Sequence, residues 1–251
     1  MIISTNLSVS WKLISLNDTE KAVDTHPMKE FIFKKALRFS HLYNGNTPQN
    51  GTRSLNTLRY EKIVETINNL PRKSSIVDFG SGEGKLSSLL AYVKGIDELL
   101  AVEPSEAAMK KAIKRFEGLE DAFVTPKPTW GSLFYYDARL EHKDVIVLCE
   151  VIEHINEERL PKIMELILTQ YSPQTLIVTT PNAEYNAIYK LDEMRHDDHR
   201  FEWTRQQFQE WCHAMNHNEQ YELSFTGIGD QHDIYGQPTQ MCIYTKKEEN
   251  V

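Results

Sequence analysis

In the stretch DVIVLCEVIEHINEERL, residues 144–160, an apolar run (Val145, Ile146, Val147, Leu148) leads directly into Glu150, Glu153 and His154. If the chain turns helical after that strand, the three side chains stand at i, i+3 and i+4 and share one face. Two carboxylates beside an imidazole are costly to bring together unless a positive charge lies between them. A second cluster, His196, Asp197, Asp198 and His199 in MRHDDHRFEWTR, could supply a further ligand. Acids in the first turn of a helix also satisfy its dipole, which is the plainer account of the first cluster alone. The histidine-rich loop, expected at the same edge of the sheet, favours a cation. Carboxylates mixed with imidazoles suit Mg²⁺, Mn²⁺, Fe²⁺ or Co²⁺ with coordination positions left open, not a thiolate zinc site. A metal lowers the pKa of a coordinated oxygen, so the chemistry to expect is activation of a hydroxyl. A vicinal diol, either a catechol or the 2′,3′-diol of an RNA 3′ end, could fill both open positions and hold one oxygen in a near-attack geometry.

The companion feature is VDFGSGEGKL, in which Asp78 precedes Gly80, Ser81, Gly82 and Gly84. Glycines between a strand and a helix let the backbone approach a ligand closely. The G-x-G-x-G spacing differs from the pyrophosphate-cradling G-x-G-x-x-G of dehydrogenases. With the acidic Asp78, placed to hold a methionyl ammonium or to order the turn, it favours S-adenosylmethionine over a nicotinamide cofactor. Glu103, at the end of LLAVEP, falls where a carboxylate accepts hydrogen bonds from a ribose diol. Ser132, Leu133 and Asp137 of WGSLFYYD are candidates for the adenine.

The elements that must position these groups alternate. SLNTLRYEKIVETINNL has helical spacing, SSIVDFG reads as a buried strand, and GKLSSLLAYV as the next helix. The strand DELLAVEP, the helix SEAAMKKAIKRFEGL, the strand DVIVLCE, the helix ERLPKIMELILTQ and the strand TLIVTTP follow. Such alternation implies a doubly wound α/β domain, a mostly parallel sheet with right-handed crossovers and helices on both faces; combined with the glycine turn and Glu103, the pattern favours a Rossmann-like class I methyltransferase over a dehydrogenase. YELSFTGIG and TQMCIYTK have no helix between them and should form an antiparallel pair at the C-terminal edge. Residues 1–50 are expected to be a partly helical extension, with a short basic helix in KEFIFKKALRF. The turn-rich NGNTPQNGT marks the break before a domain over 51–251.

A net charge of −8 over 251 residues argues against a duplex-DNA binder, while leaving room for an enzyme that grips one RNA end. The basic clusters at Lys34, Lys35 and Arg38 and at Lys110, Lys111, Lys114 and Arg115 read first as solvated helix faces. The three cysteines, Cys149, Cys212 and Cys242, are widely spaced, as in a reduced intracellular protein. No apolar run reaches membrane-span length, and the N-terminus lacks signal-peptide order, so a cytoplasmic location is expected.

GSLFYYDARLEHKDVIVLCEVIEHINEERL, VTTPNAEYN, RHDDHRFEWTRQQFQEW and GQPTQMCIY together resemble the Hen1 family of small-RNA 3′-terminal 2′-O-methyltransferases, over roughly residues 55–246. The resemblance rests on E-V-I-E-H, T-P-N-x-E-[YF]-N and D-H-[RK]-F-E-W-T-R in that order. It implies S-adenosylmethionine as methyl donor and a catalytic Mg²⁺ or Mn²⁺ that binds the 2′- and 3′-hydroxyls of the last nucleotide. It further implies Glu150, Glu153, His154 and His199 as the metal ligands, with His199 preferred to His196. Arg59, in LNTLRYE, matches a basic residue that the family places near the active site, and Arg195 is a second candidate RNA contact. The implied partners are an RNA 3′ end and proteins of RNA repair or of a small-RNA pathway. A small-molecule catechol or diol O-methyltransferase and a non-catalytic RNA-end-binding subunit are the alternatives.

Overall fold

The computed structural model describes residues 53–191 and 194–248. The expected extension, its helix and the break near residue 50 lie outside them. Seven strands form one sheet: β1 (Ser75–Phe79), β2 (Glu98–Glu103), β3 (Lys127–Trp130), β4 (Val145–Cys149), β5 (Thr175–Pro181), β6 (Tyr221–Ile228) and β7 (Thr239–Lys246). Their order is β3-β2-β1-β4-β5-β7-β6. The first five run parallel, so their carboxyl ends share one edge, and β7 lies antiparallel between β5 and β6. This is the expected architecture. Because β6 and β7 are joined without a crossover, the hairpin closes the sheet without a further layer of helix.

The strand order reverses between β1 and β4, and there the carboxyl ends open a crevice for ligands. β1 and β4 are buried on both faces because alternate side chains feed two cores. Ile76, Leu99, Val145 and Ile177 pack with Ile63, Val64 and Ile67 of α1 (Leu55–Asn69) and Leu86 and Leu90 of α2 (Lys85–Leu90). On the same face, Ala101 packs with Ala112 and Phe116 of α3 (Glu106–Glu117). Val77, Leu148 and Val178 point the other way, toward α4 (Leu160–Glu165), its continuation over Leu166–Tyr171, and α6 (Arg205–Met215). A short helix, α5 (Asn186–Tyr189), follows β5.

Three local expectations change. The segment after β4 is not one helix beginning at Glu150. Glu150 itself is left-handed (φ 54°), a single 3₁₀ turn spans Ile152–His154, and α4 begins only at Leu160. Ile152 and Ile155, three residues apart, are both buried in the core. β3 shows no strand signal in the sequence because KPTW, with its proline and exposed edge, lacks the apolar alternation of a buried strand. The helix α6 also goes beyond the expected elements; Thr204 and Gln207 close a capping box at its start.

Candidate active site

The site is built at the carboxyl edge of β1, β2, β4 and β5. At the end of β1, Asp78 is buried and accepts a hydrogen bond of 2.5 Å from the Ser87 hydroxyl of α2. Burial pushes its pKa up to about 6, against the lowering effect of the Ser87 bonds. Asp78 thus ties the strand to the helix that follows the glycine turn. Gly80 and Ser81 each donate to the Val102 carbonyl, at 2.9 and 3.1 Å, which folds the turn across β2. Glu103, at the end of β2, accepts from the backbone of Gly82 and of Ser105, each at 2.8 Å. It braces the loop while keeping acceptor lone pairs for a ligand. The Ser81 hydroxyl is buried without a hydrogen-bond partner, and a Cβ on Gly82 (φ 54°) would meet nothing within 4 Å. An open backbone turn beside an unsatisfied donor and a carboxylate fits the polar end and ribose of S-adenosylmethionine. Leu133 is buried, and the Ser132 hydroxyl accepts from Phe134 N at 3.3 Å, so the candidate adenine loop is tethered at the same edge.

Gly80 links this turn to the second half of the site. Its φ is +73°, and a Cβ there would come within 2.7 Å of Val151 Cγ2. The cofactor turn therefore packs directly on the segment between Glu150 and Glu153.

Thr179 and Thr180 of β5 hold the two glutamates. The Glu150 N–H donates to the Thr179 carbonyl and hydroxyl oxygens, and the Thr179 hydroxyl donates to Glu150 Oε1 at 2.8 Å. Glu150 Oε2 pairs with Arg59 Nη2 at 2.9 Å. Glu153 is fully buried and accepts from the Thr180 hydroxyl at 3.1 Å through Oε2. Its other oxygen, Oε1, is buried with no hydrogen-bond partner. Burial, then the neighbouring Glu150 charge, drives the Glu153 pKa well above the usual carboxylate range.

His154 and His199 complete the cluster. Ligand atoms of Glu153, His154 and His199 lie within 4.8 Å of one another. The two rings meet edge-to-face with centroids 5.0 Å apart. His154 Nδ1 approaches a carboxylate oxygen of Asp198 at 3.3 Å. His199 Nδ1 lies 2.6 Å from Glu202 Oε1 in a nearly dry setting. A buried carboxylate with one unsatisfied oxygen, facing two imidazoles, fits a divalent cation. Glu150 borders this group with its carboxylate turned to Arg59 and Thr179.

Of the other sequence candidates, His196 meets His199 edge-to-face with ring centroids 5.1 Å apart and is not part of the converging group. Arg59, from the first turns of α1, reaches the site and also donates to the Thr239 hydroxyl at 2.8 Å. Arg195 is largely committed within the fold. Its guanidinium donates to Asn186 Oδ1, the Pro238 carbonyl and the Asn182 carbonyl at 2.7, 2.7 and 2.6 Å. Glu202, Asn186, Thr179 and Thr180 were absent from the sequence candidates. Their one sequence signal is that they sit inside T-T-P-N-A-E-Y-N and F-E-W, next to residues that were chosen.

A family model described as a methyltransferase domain matches residues 53–220. The chain is 31% identical over 199 residues to a small RNA 2'-O-methyltransferase of Arabidopsis thaliana, covering 71% of this chain and 21% of the relative. It is 29% identical over 198 residues to a small RNA 2'-O-methyltransferase of Mus musculus, covering 75% of this chain and 50% of the relative. The chain thus spans half or less of these curated relatives. It is also similar to the crystal structure of the methyltransferase domain of a bacterial Hen1 protein, CtHen1, with 34% identity and a TM-score of 0.69. That match covers 78% of this chain and 100% of the bacterial domain. With fold and sequence similar over the whole of that domain, the chain belongs to the Hen1 family of methyltransferases.

Proposed function

We propose that this protein transfers a methyl group from S-adenosylmethionine to the 2′-hydroxyl of the 3′-terminal nucleotide of an RNA, and that the reaction depends on Mg²⁺ or Mn²⁺. The observation that carries the reading is the convergence of Glu153, His154 and His199 at the carboxyl edge of β4, with Glu153 Oε1 buried and unpartnered. Family membership supports RNA as the substrate class, since the Arabidopsis and mouse relatives are named as small RNA 2'-O-methyltransferases.

Glu150, Glu153, His154 and His199 would hold the metal, which when bound supplies Lewis acidity toward a vicinal diol. The chain supplies the rest. Glu103 and the Gly82 backbone position the methyl donor, and Gly80 sets that turn against Val151, so donor and diol are held by touching segments. Ionised Asp78 offers a negative charge to the donor's ammonium group. Thr179 and Thr180 aim the two glutamates from below. Burial raises the Glu153 pKa, so a cation bound there would compete with a proton for the carboxylate. Arg59, beside Glu150, places a positive charge where the terminal phosphodiester of an RNA would arrive. RNA-repair or small-RNA pathway proteins are the proposed suppliers of the substrate.

The test offers labelled S-adenosylmethionine to RNA oligonucleotides ending in a 2′,3′-diol, a 3′-phosphate or a 2′-O-methyl group, and to catechol, with Mn²⁺ or a chelator. Label is expected only in the diol RNA with metal present. Equal labelling of the 3′-phosphorylated RNA would sink the diol reading, and labelling of catechol alone would replace RNA by a small molecule.

A further inference from the structure

The least expected buried group near the site is Glu202. It lies between Phe201 and Trp203, whose rings stack with centroids 4.1 Å apart, and its side chain is 2% exposed. A carboxylate in such a place carries a desolvation cost unless its oxygens are hydrogen-bonded. Both are. Oε1 accepts from the Arg195 backbone N–H at 2.8 Å and meets His199 Nδ1 at 2.6 Å; Oε2 accepts from Asn186 Nδ2 at 2.6 Å. The Asn186 amide cannot flip, because its Oδ1 accepts from Arg195 Nε at 2.7 Å while its nitrogen faces the carboxylate. Arg195 is pinned in turn by the Asn182 and Pro238 carbonyls.

Both Glu202 oxygens already accept from fixed N–H donors, so the 2.6 Å contact is satisfied with Nδ1 of His199 donating. The remaining nitrogen, Nε2, then presents its lone pair on the opposite side of the ring. Ligand atoms of Glu153, His154 and His199 lie within 4.8 Å of one another.

We propose that Glu202 is a positioning residue that fixes the tautomer and direction of His199, with Asn186 and Arg195 as the clamp that holds Glu202. The inference rests on the metal reading above. It assigns Arg195 to the support of a ligand instead of to RNA contact, and it explains why F-E-W follows the histidine loop without interruption. Carboxylates that orient metal-binding histidines typically change metal affinity 10- to 100-fold when removed.

The experiment uses the whole protein and two readouts independent of turnover. The first is Mn²⁺ binding, followed by the electron paramagnetic resonance signal of free Mn²⁺. The second is the His199 tautomer, read from ¹⁵N shifts and two-bond couplings and assigned by comparison with His199→Gln. Glu202→Gln keeps the size of the side chain and removes its charge; Asn186→Ala loosens the clamp. We expect Glu202→Gln to weaken Mn²⁺ binding about 10- to 100-fold. His199 should become a mixture of tautomers, while binding of S-adenosylhomocysteine stays within about twofold of wild type. Asn186→Ala should shift both readouts in the same direction by less. If Glu202→Gln folds, binds Mn²⁺ like wild type and keeps a single His199 tautomer, the proposal is overturned while the metal reading stands. If the wild-type protein binds no Mn²⁺, the metal reading fails and the proposal falls with it. Should Glu202→Gln fail to fold, Asn186→Ala decides alone, and unchanged Mn²⁺ affinity and tautomer in that variant count against the clamp.

Discussion

Glu153 carries the sharpest expectation at the scale of single residues. Its buried Oε1 has no partner and its pKa is driven well up by burial and by Glu150. A cation must therefore compete with a proton, and Mn²⁺ affinity should rise with pH. Glu153→Gln removes both charge and competition: Mn²⁺ binding should fall sharply and lose the part of its pH dependence that this carboxylate contributes. S-adenosylhomocysteine binding should persist. Calorimetry of both ligands checks this, and collapse of cofactor binding in the variant would place Glu153 in the wrong site. Asp78 gives a second residue-scale prediction, with the sign set by linkage. Its folded pKa is raised to about 6 from an ordinary 3.8, so the folded state favours the protonated form. The stability it contributes is fully present below about pH 4 and is lost as pH rises through about 6, a change of roughly 3 kcal/mol at most. Asp78→Asn should thus raise the melting temperature above pH 6 relative to wild type and converge with it near pH 4. The same variant should bind S-adenosylhomocysteine more weakly at pH 7, because the ionised carboxylate is the form that faces an ammonium. Thermal melts across pH with and without that ligand separate the two effects.

At the scale of elements, the β1–α2 turn packs on the β4–α4 turn, so the proposed donor and metal halves of the site should be coupled. Gly80→Ala forces a Cβ to within 2.7 Å of Val151 Cγ2 and strains a positive φ. The backbone cost alone is about 1–2 kcal/mol. Displacement of Val151 should also weaken S-adenosylhomocysteine and Mn²⁺ together, whereas Gly82→Ala, with open space around its Cβ, should spare Mn²⁺. If Gly80→Ala lowers cofactor affinity and leaves Mn²⁺ untouched, the two turns are independent. The elements themselves were legible where burial imposes a period. β1, β4 and β5 read as continuous apolar runs because helices cover both faces, and α3 opens at Ser105, whose side chain accepts from Ala108 N. β3 was not legible, since an edge strand with a proline carries little pattern. The left-handed turn at Glu150 after β4 was not legible because it has no compositional signature; non-glycine residues adopt that conformation when the surroundings over-determine it.

For the whole molecule, the question is how an acidic chain would hold a polyanion. A net charge of −8 offers no long-range attraction, so affinity must come from short contacts at the terminus. Each neutralised phosphate adds about 0.7 to the logarithmic salt slope for single strands. With Arg195 committed to the fold and Arg59 paired to Glu150, a slope of about 1 to 2 is expected, matching only two or three phosphates. Oligonucleotides of increasing length should then bind almost equally. Apparent affinity measured against salt for each length checks this, and a slope that steepens with length would reveal an extended basic groove instead.

What the sequence determined by itself was the alternation of strand and helix, the crevice edge, and the residue types gathered there. Apolar periodicity records burial, and topology then compels the loops after β1, β2, β4 and β5 to one edge. It also contained Glu150, Glu153, His154 and His199, since ligand chemistry depends on side-chain type. Only the tertiary structure decided which atoms meet: that Glu150 faces Arg59 and that Glu153 is dry with a bare oxygen. Glu202 and Asn186 were invisible for the same reason. Their roles arise from hydrogen bonds between loops separated by 16 residues, and no local pattern encodes a contact that exists only after the sheet has brought β5 and the histidine loop together.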